Sequence, residues 1–123
     1  MALLDTKTVD VATVLAAAVL GVIETIRFWD PVSQTYVTTA PANAPFGSLI
    51  GVVATMRNTG AVNQRMYMRC TLKRPDGTTK STMDVPTTPV VLAPNATHDA
   101  GWTDFCDAAG VWTEVIELYG EAA

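Results

Sequence analysis

The chain has 123 residues, 49% of them hydrophobic and 16% charged, with a formal net charge of −4 and a pI near 4.7. That length holds one domain around one core, and the acidic balance argues against general affinity for nucleic acid or an anionic membrane. The charged fraction lies below the roughly one quarter typical of globular proteins, and the abundance of Thr, Val and Ala favours strands over helices.

Taken in order, the chain first presents an apolar run. Residues 11–23, Val-Ala-Thr-Val-Leu-Ala-Ala-Ala-Val-Leu-Gly-Val-Ile, carry no charge and are bounded by Asp10 and Glu24. A transmembrane helix needs about 20 apolar residues, so no membrane span is expected. The preceding Asp5, Lys7 and Asp10 give a net negative lead where an export signal wants a basic one, so a signal peptide is not expected either. What remains is an apolar arm over residues 1–21, extended or carrying a short helix capped by Asp10. Left on the surface it would form an apolar patch of the kind monomers avoid. Val11, Val14, Leu15, Val19 and Leu20 are therefore candidate assembly residues, with a homo-oligomer or a larger protein assembly as the partner.

Residues 22–123 are expected to form the folded domain. A strand is expected over 22–29, with Ile26 and Phe28 in the core, broken by Asp30-Pro31. A short strand follows over 34–39, then a Pro-rich loop over 40–45, with Phe46 as a plug for the end of the core. The central stretch is 48–73. Its first limb places Ile50, Val52, Ala54 and Met56 at every second position, and its second limb repeats the device with Met66, Met68, Cys70 and Leu72. Two apolar stripes of period two read as two half-buried strands. Between them Asn58-Thr59-Gly60 lets the chain reverse as a hairpin or cross to another sheet as a corner.

Arg74-Pro75-Asp76-Gly77 is a turn signal. An edge-like strand is expected over 78–83, and Pro86 and Pro89 are expected to interrupt pairing before a brief inward strand over 90–92. Ala93-Pro94-Asn95 turns the chain into a strand over 97–105 with Trp102 in the core. Residues 107–110 turn it into the last strand, 111–119, where Trp112, Ile116 and Leu118 share a face. Glu114 falls on that same face, which calls for a bulge, an edge position or a charge partner such as an arginine.

No catalytic constellation is legible, and enzyme activity is not expected. His98 stands without a nucleophile motif, and phosphate-binding glycine loops and Cys-x-x-Cys pairs are missing from the sequence. No cofactor or metal is expected: Asp99, Asp104 and Asp107 do not have the spacing of a calcium loop. Cys70 and Cys106 fit two buried thiols or one bridge between sheets, with the choice open. Asn95-Ala96-Thr97 matches a glycosylation acceptor triplet, which matters only in a secreted chain. Arg65, Tyr67 and Arg69 alternate outward on one strand as a candidate interaction face, a basic and aromatic row able to meet a glycan or a protein. Basic residues fill the middle of the chain and none follows Lys80, whereas seven acidic residues do. Cross-strand pairing of the two sets is the simpler expectation.

Short strands with turn signals about every ten residues describe a β-sandwich. Val53-Ala54-Thr55-Met56-Arg57-Asn58-Thr59-Gly60, Pro75-Asp76-Gly77, Leu92-Ala93-Pro94-Asn95 and Gly110-Val111-Trp112 together resemble immunoglobulin-like sandwich domains of the bacterial cell-adhesion-related (CARDB-like) type. The resemblance covers about residues 22–119. It implies an all-β, immunoglobulin-like sandwich of about seven antiparallel strands that acts as a spacer or interaction module. Two functional classes follow: a self-associating structural protein, as in a virion or an extracellular surface assembly, and an adhesion module that binds a glycan or a protein.

Overall fold

The computed structural model describes residues 1–12 and 19–123. Seven strands form from these residues, with no helix among them: β1 (Gly21–Asp30), β2 (Thr35–Val37), β3 (Leu49–Asn58), β4 (Gln64–Lys73), β5 (Thr79–Leu92), β6 (Thr97–Phe105) and β7 (Thr113–Ala122). They build two antiparallel sheets, ordered β2-β1-β3-β6 and β5-β4-β7, packed face to face as a β-sandwich. The chain changes sheet between β3 and β4, between β5 and β6, and between β6 and β7.

The core is the pair of period-two stripes. Ala54 and Met56 from β3 meet Met66, Met68 and Cys70 from β4, with Val85 and Leu92 from β5 closing the cluster. Val52 and Leu72 are buried beside it, and Ile50 is half-buried. Because β3 and β4 lie in different sheets, the stretch 48–73 is a corner and not a hairpin.

Two buried amides explain the corner. Asn58 donates from Nδ2 to the carbonyls of Val62 and Leu92, each at 2.8 Å, and its Oδ1 accepts from the Gly60 amide and from Gln64 Nε2. Gln64 Nε2 also donates to the Leu20 carbonyl at 2.7 Å. The Asn58 side chain thus does for the crossing chain what a ladder partner would do for a continuing strand, at a site closed to water.

Other elements depart from simple alternation for visible reasons. In β1 the pairing with β3 shifts between Ile23 and Thr25. This bulge turns Glu24 out to Arg57, 2.9 Å away, and keeps Ile23, Ile26 and Phe28 on the face of Met56, Ala54 and Val52. The segments expected at 78–83 and 90–92 are one strand, β5, whose pairing with β4 breaks between Val85 and Val90, across Pro86 and Pro89. The prolines interrupt the ladder as expected, since they offer no donor, without ending the extended chain. Cys70 and Cys106 are both free and buried.

Candidate functional site

Arg65, Tyr67 and Arg69 on the outward row of β4 are each engaged by neighbouring strands. Arg65 reaches Glu121 on β7 at 3.2 Å, and Arg69 reaches Asp84 on β5 at 2.8 Å from Nε and 3.3 Å from Nη2. Tyr67 stacks on Tyr119 across the β4–β7 ladder, with centroids 5.2 Å apart and planes 15° from parallel. Arg69 also lies 5.4 Å from the Tyr119 ring, and the Tyr119 hydroxyl donates to Glu117 at 3.2 Å. Hydrogen bonding to Asp84 raises the Arg69 pKa further, and the same bond lowers that of Asp84. The candidate face Arg65, Tyr67 and Arg69 is therefore a closed set of cross-strand contacts in which each cation is neutralised. Arg27–Asp99, Arg74–Asp107 and Lys80–Asp104 repeat this pairing elsewhere on the domain.

A second region lies where the sheets separate at the Trp29 and Thr113 end. There a cleft of about 630 Å³ is lined mainly by apolar groups, among them Phe28, Trp29, Phe46, Leu72 and Trp112, with Glu114 as its inward carboxyl. Phe46, expected to plug the core, is instead 74% exposed at this cleft. Of the alternatives for Glu114 the edge position holds: on β7, an outer strand of its sheet, it faces inward opposite Leu72 of β4, with no bulge there and no arginine partner. The Trp102 indole Nε1 donates to it at 3.0 Å. Burial lifts the Glu114 pKa to about 7, against the smaller opposing effect of the indole hydrogen bond. Burial likewise pushes the Cys70 thiol up to about 11, which marks it as an inert packing residue.

The third region is the arm. Val11, Val19 and Leu20 carry no regular secondary structure and are exposed, as are Leu3, Leu4 and Val9. Val11 is 94% exposed and Val9 73%. Val14 and Leu15 lie outside the described residues. The arm is anchored at its root, where the Leu20 carbonyl accepts from the Thr59 amide at 3.2 Å and from Gln64 Nε2.

Sequence reasoning singled out Glu114 but not its indole donor, and it read Asn58 as a turn residue without seeing that its amide would be buried. Asn58 and Gln64, six residues apart and flanking a loop between two apolar stripes, are the signal that could have marked them. Among the described residues no cluster of His, Cys, Asp or Glu could hold a metal ion, and no helix is long and apolar enough to cross a membrane. No family model matches the chain, and no curated protein matches it.

Proposed function

We propose that the chain is a non-enzymatic structural protein that self-associates, a component of a virion or other surface assembly, with its domain of the CARDB-like immunoglobulin type. The observation that carries this reading is the arm: Leu3, Leu4, Val9, Val11 and Leu20 are all exposed and take no part in the core cluster. Large apolar side chains repeated along one exposed segment are the mark of a segment that meets another protein. The pairing of Arg65, Tyr67 and Arg69 within the domain is consistent with the same reading, because it leaves that row less available to a ligand. Solution mass tests it. At concentrations on the order of tens of micromolar the full chain is expected as an oligomer, and removal of residues 1–20 is expected to yield monomer. A monomeric full chain whose solubility is unchanged by the truncation overturns the reading.

One observation favours the alternative, an adhesion module for a glycan or a protein: the cleft lined by Trp29, Phe46 and Trp112. Aromatic faces of this kind stack on sugar rings or receive apolar side chains. A glycan panel comparing the natural chain with Trp112→Ala and Tyr67→Ala decides it. Loss on Trp112→Ala alone supports the cleft, and a null response from all three removes the glycan reading.

A further inference from the structure

The two sheets differ in width, and the difference leaves part of the interior uncovered. Ile26 projects from β1 on the same face as buried Ala54, yet it is 40% exposed. On the opposite sheet β7 is the last strand, and no further strand lies beside it among the described residues. At the Gly21 end the sheets close tightly, so that a Cβ added at Gly21 would lie 3.0 Å from Leu118 Cδ2. Toward Trp29 the apolar cleft opens between the sheets, with Thr113 and Glu114 at the start of β7 among its lining.

The edges of the smaller sheet are protected very differently. β5 carries Pro86, Pro89, Lys80 and a break in its pairing, the devices by which natural edges avoid another strand. β7 has no proline and no lysine, and it pairs with β4 over all ten residues without a register shift. Its glutamates are already held: Glu114 by Trp102, Glu117 by the Tyr119 hydroxyl, and Glu121 by Arg65. β7 therefore offers a long, regular backbone edge, with the apolar cleft at its Thr113 end and half-exposed Ile26 on the facing sheet.

We propose that this edge accepts the arm of a second copy of the chain, residues 9–20 adding to β7 as an eighth strand and laying aliphatic side chains over Ile26. The inference rests on the self-association reading and deepens it by naming both surfaces. The arm fits in length, since its twelve residues span the ten of β7 at about 3.3 Å per residue. It fits in chemistry, because beyond Asp10 it brings no charge against the glutamates of β7, and its side chains on either parity are otherwise aliphatic or small. Val9 and Val11 stay exposed in the single chain, so these residues are not packed on their own domain. The hydrogen bonds on the Leu20 carbonyl continue the line of β1 past Gly21 and hold the root of the arm close to Leu118 and Gly120 at the end of β7. Main-chain pairing would supply the attraction and the packing over Ile26 the specificity, as in other strand additions. Arm and edge are different surfaces, so the contact is head-to-tail.

Amide hydrogen exchange on the full chain, read with solution mass at a dilute and a concentrated condition, tests this. The expected result is an oligomer at high concentration in which amides of residues 113–122 exchange about tenfold more slowly than in the dilute monomer. The double substitution Val9→Asp, Val11→Asp, at exposed positions that leave the domain intact, is expected to abolish both the slowing and the oligomer. An oligomer with unchanged exchange in β7 overturns the arm-to-edge contact while leaving self-association standing. Slowed exchange in a chain of monomer mass overturns it as well, since the arm would then close on its own domain. A monomer without slowing at either concentration overturns both proposals.

Discussion

Replacing Glu114 by Gln isolates the cost of an inward carboxylate. The natural side chain lies opposite Leu72 with the Trp102 indole donating to it, and burial raises its pKa from 4.5 to about 7. The folded chain therefore holds this proton more tightly than the unfolded chain. The resulting stability is fully present below about pH 4.5, is lost progressively as pH rises, and is gone above about pH 7. At about 1.36 kcal/mol per tenfold change in proton affinity the ceiling is about 3 kcal/mol. Partial solvent access to the carboxyl lowers this to about 1.5 kcal/mol. Glutamine keeps an oxygen for the indole and cannot ionise. In urea unfolding at a series of pH values, the natural chain should lose about 1.5 kcal/mol relative to Glu114→Gln between about pH 4.5 and 7.5, with the two coinciding below. Asp84 and Asp107, held low by hydrogen bonds from Arg69 and Arg74, change stability at lower pH and cancel in the comparison. Parallel curves across the whole range would refute the inward, desolvated placement of Glu114.

Two further outcomes test the core and the corner. Met68→Asp, which buries a carboxylate at a fully enclosed site, should unfold the domain, whereas Arg69→Ala one residue away should cost less than about 1 kcal/mol; equal effects in urea would mean the faces of β4 are reversed. Asn58→Ala strands the carbonyls of Val62 and Leu92 and the Gly60 amide, and should cost about 3 kcal/mol in thermal or urea unfolding, while Asn63→Ala on the exposed loop should stay within about 0.5 kcal/mol. A mild Asn58→Ala would show that water replaces the amide.

The sandwich was legible because its core strands obey period two: Val52, Ala54, Met56, Met66, Met68, Cys70 and Leu72 are all buried, and each was marked by alternation alone. Cross-strand charge pairing was legible too, since the cations of the central strands and the later acids had to face each other somewhere. Ile26 lies on the interior face as expected, yet it stays 40% exposed. Apolar character says that a side chain gains from burial, but whether a strand exists to cover it depends on the number of strands in the opposite sheet, which no local pattern encodes. The indole donor of Glu114 depends on β6 and β7 facing each other across the interior, a non-local fact of the same kind. Choosing corner over hairpin required seeing Asn58 reach Leu92, 34 residues away.

The amide pair at Asn58 and Gln64 has a mechanical consequence. The root of the arm, the β3–β4 crossing and the end of β5 converge on these two side chains through the carbonyls of Leu20, Val62 and Leu92. A pull on the arm is delivered there before it reaches β1, and is shared at once between both sheets instead of peeling a single strand from its neighbour. The two amides act as a rivet that ties the residue ahead of β1 to both sheets, so the first yielding under load is the loss of their few hydrogen bonds, before the β1–β3 ladder is strained.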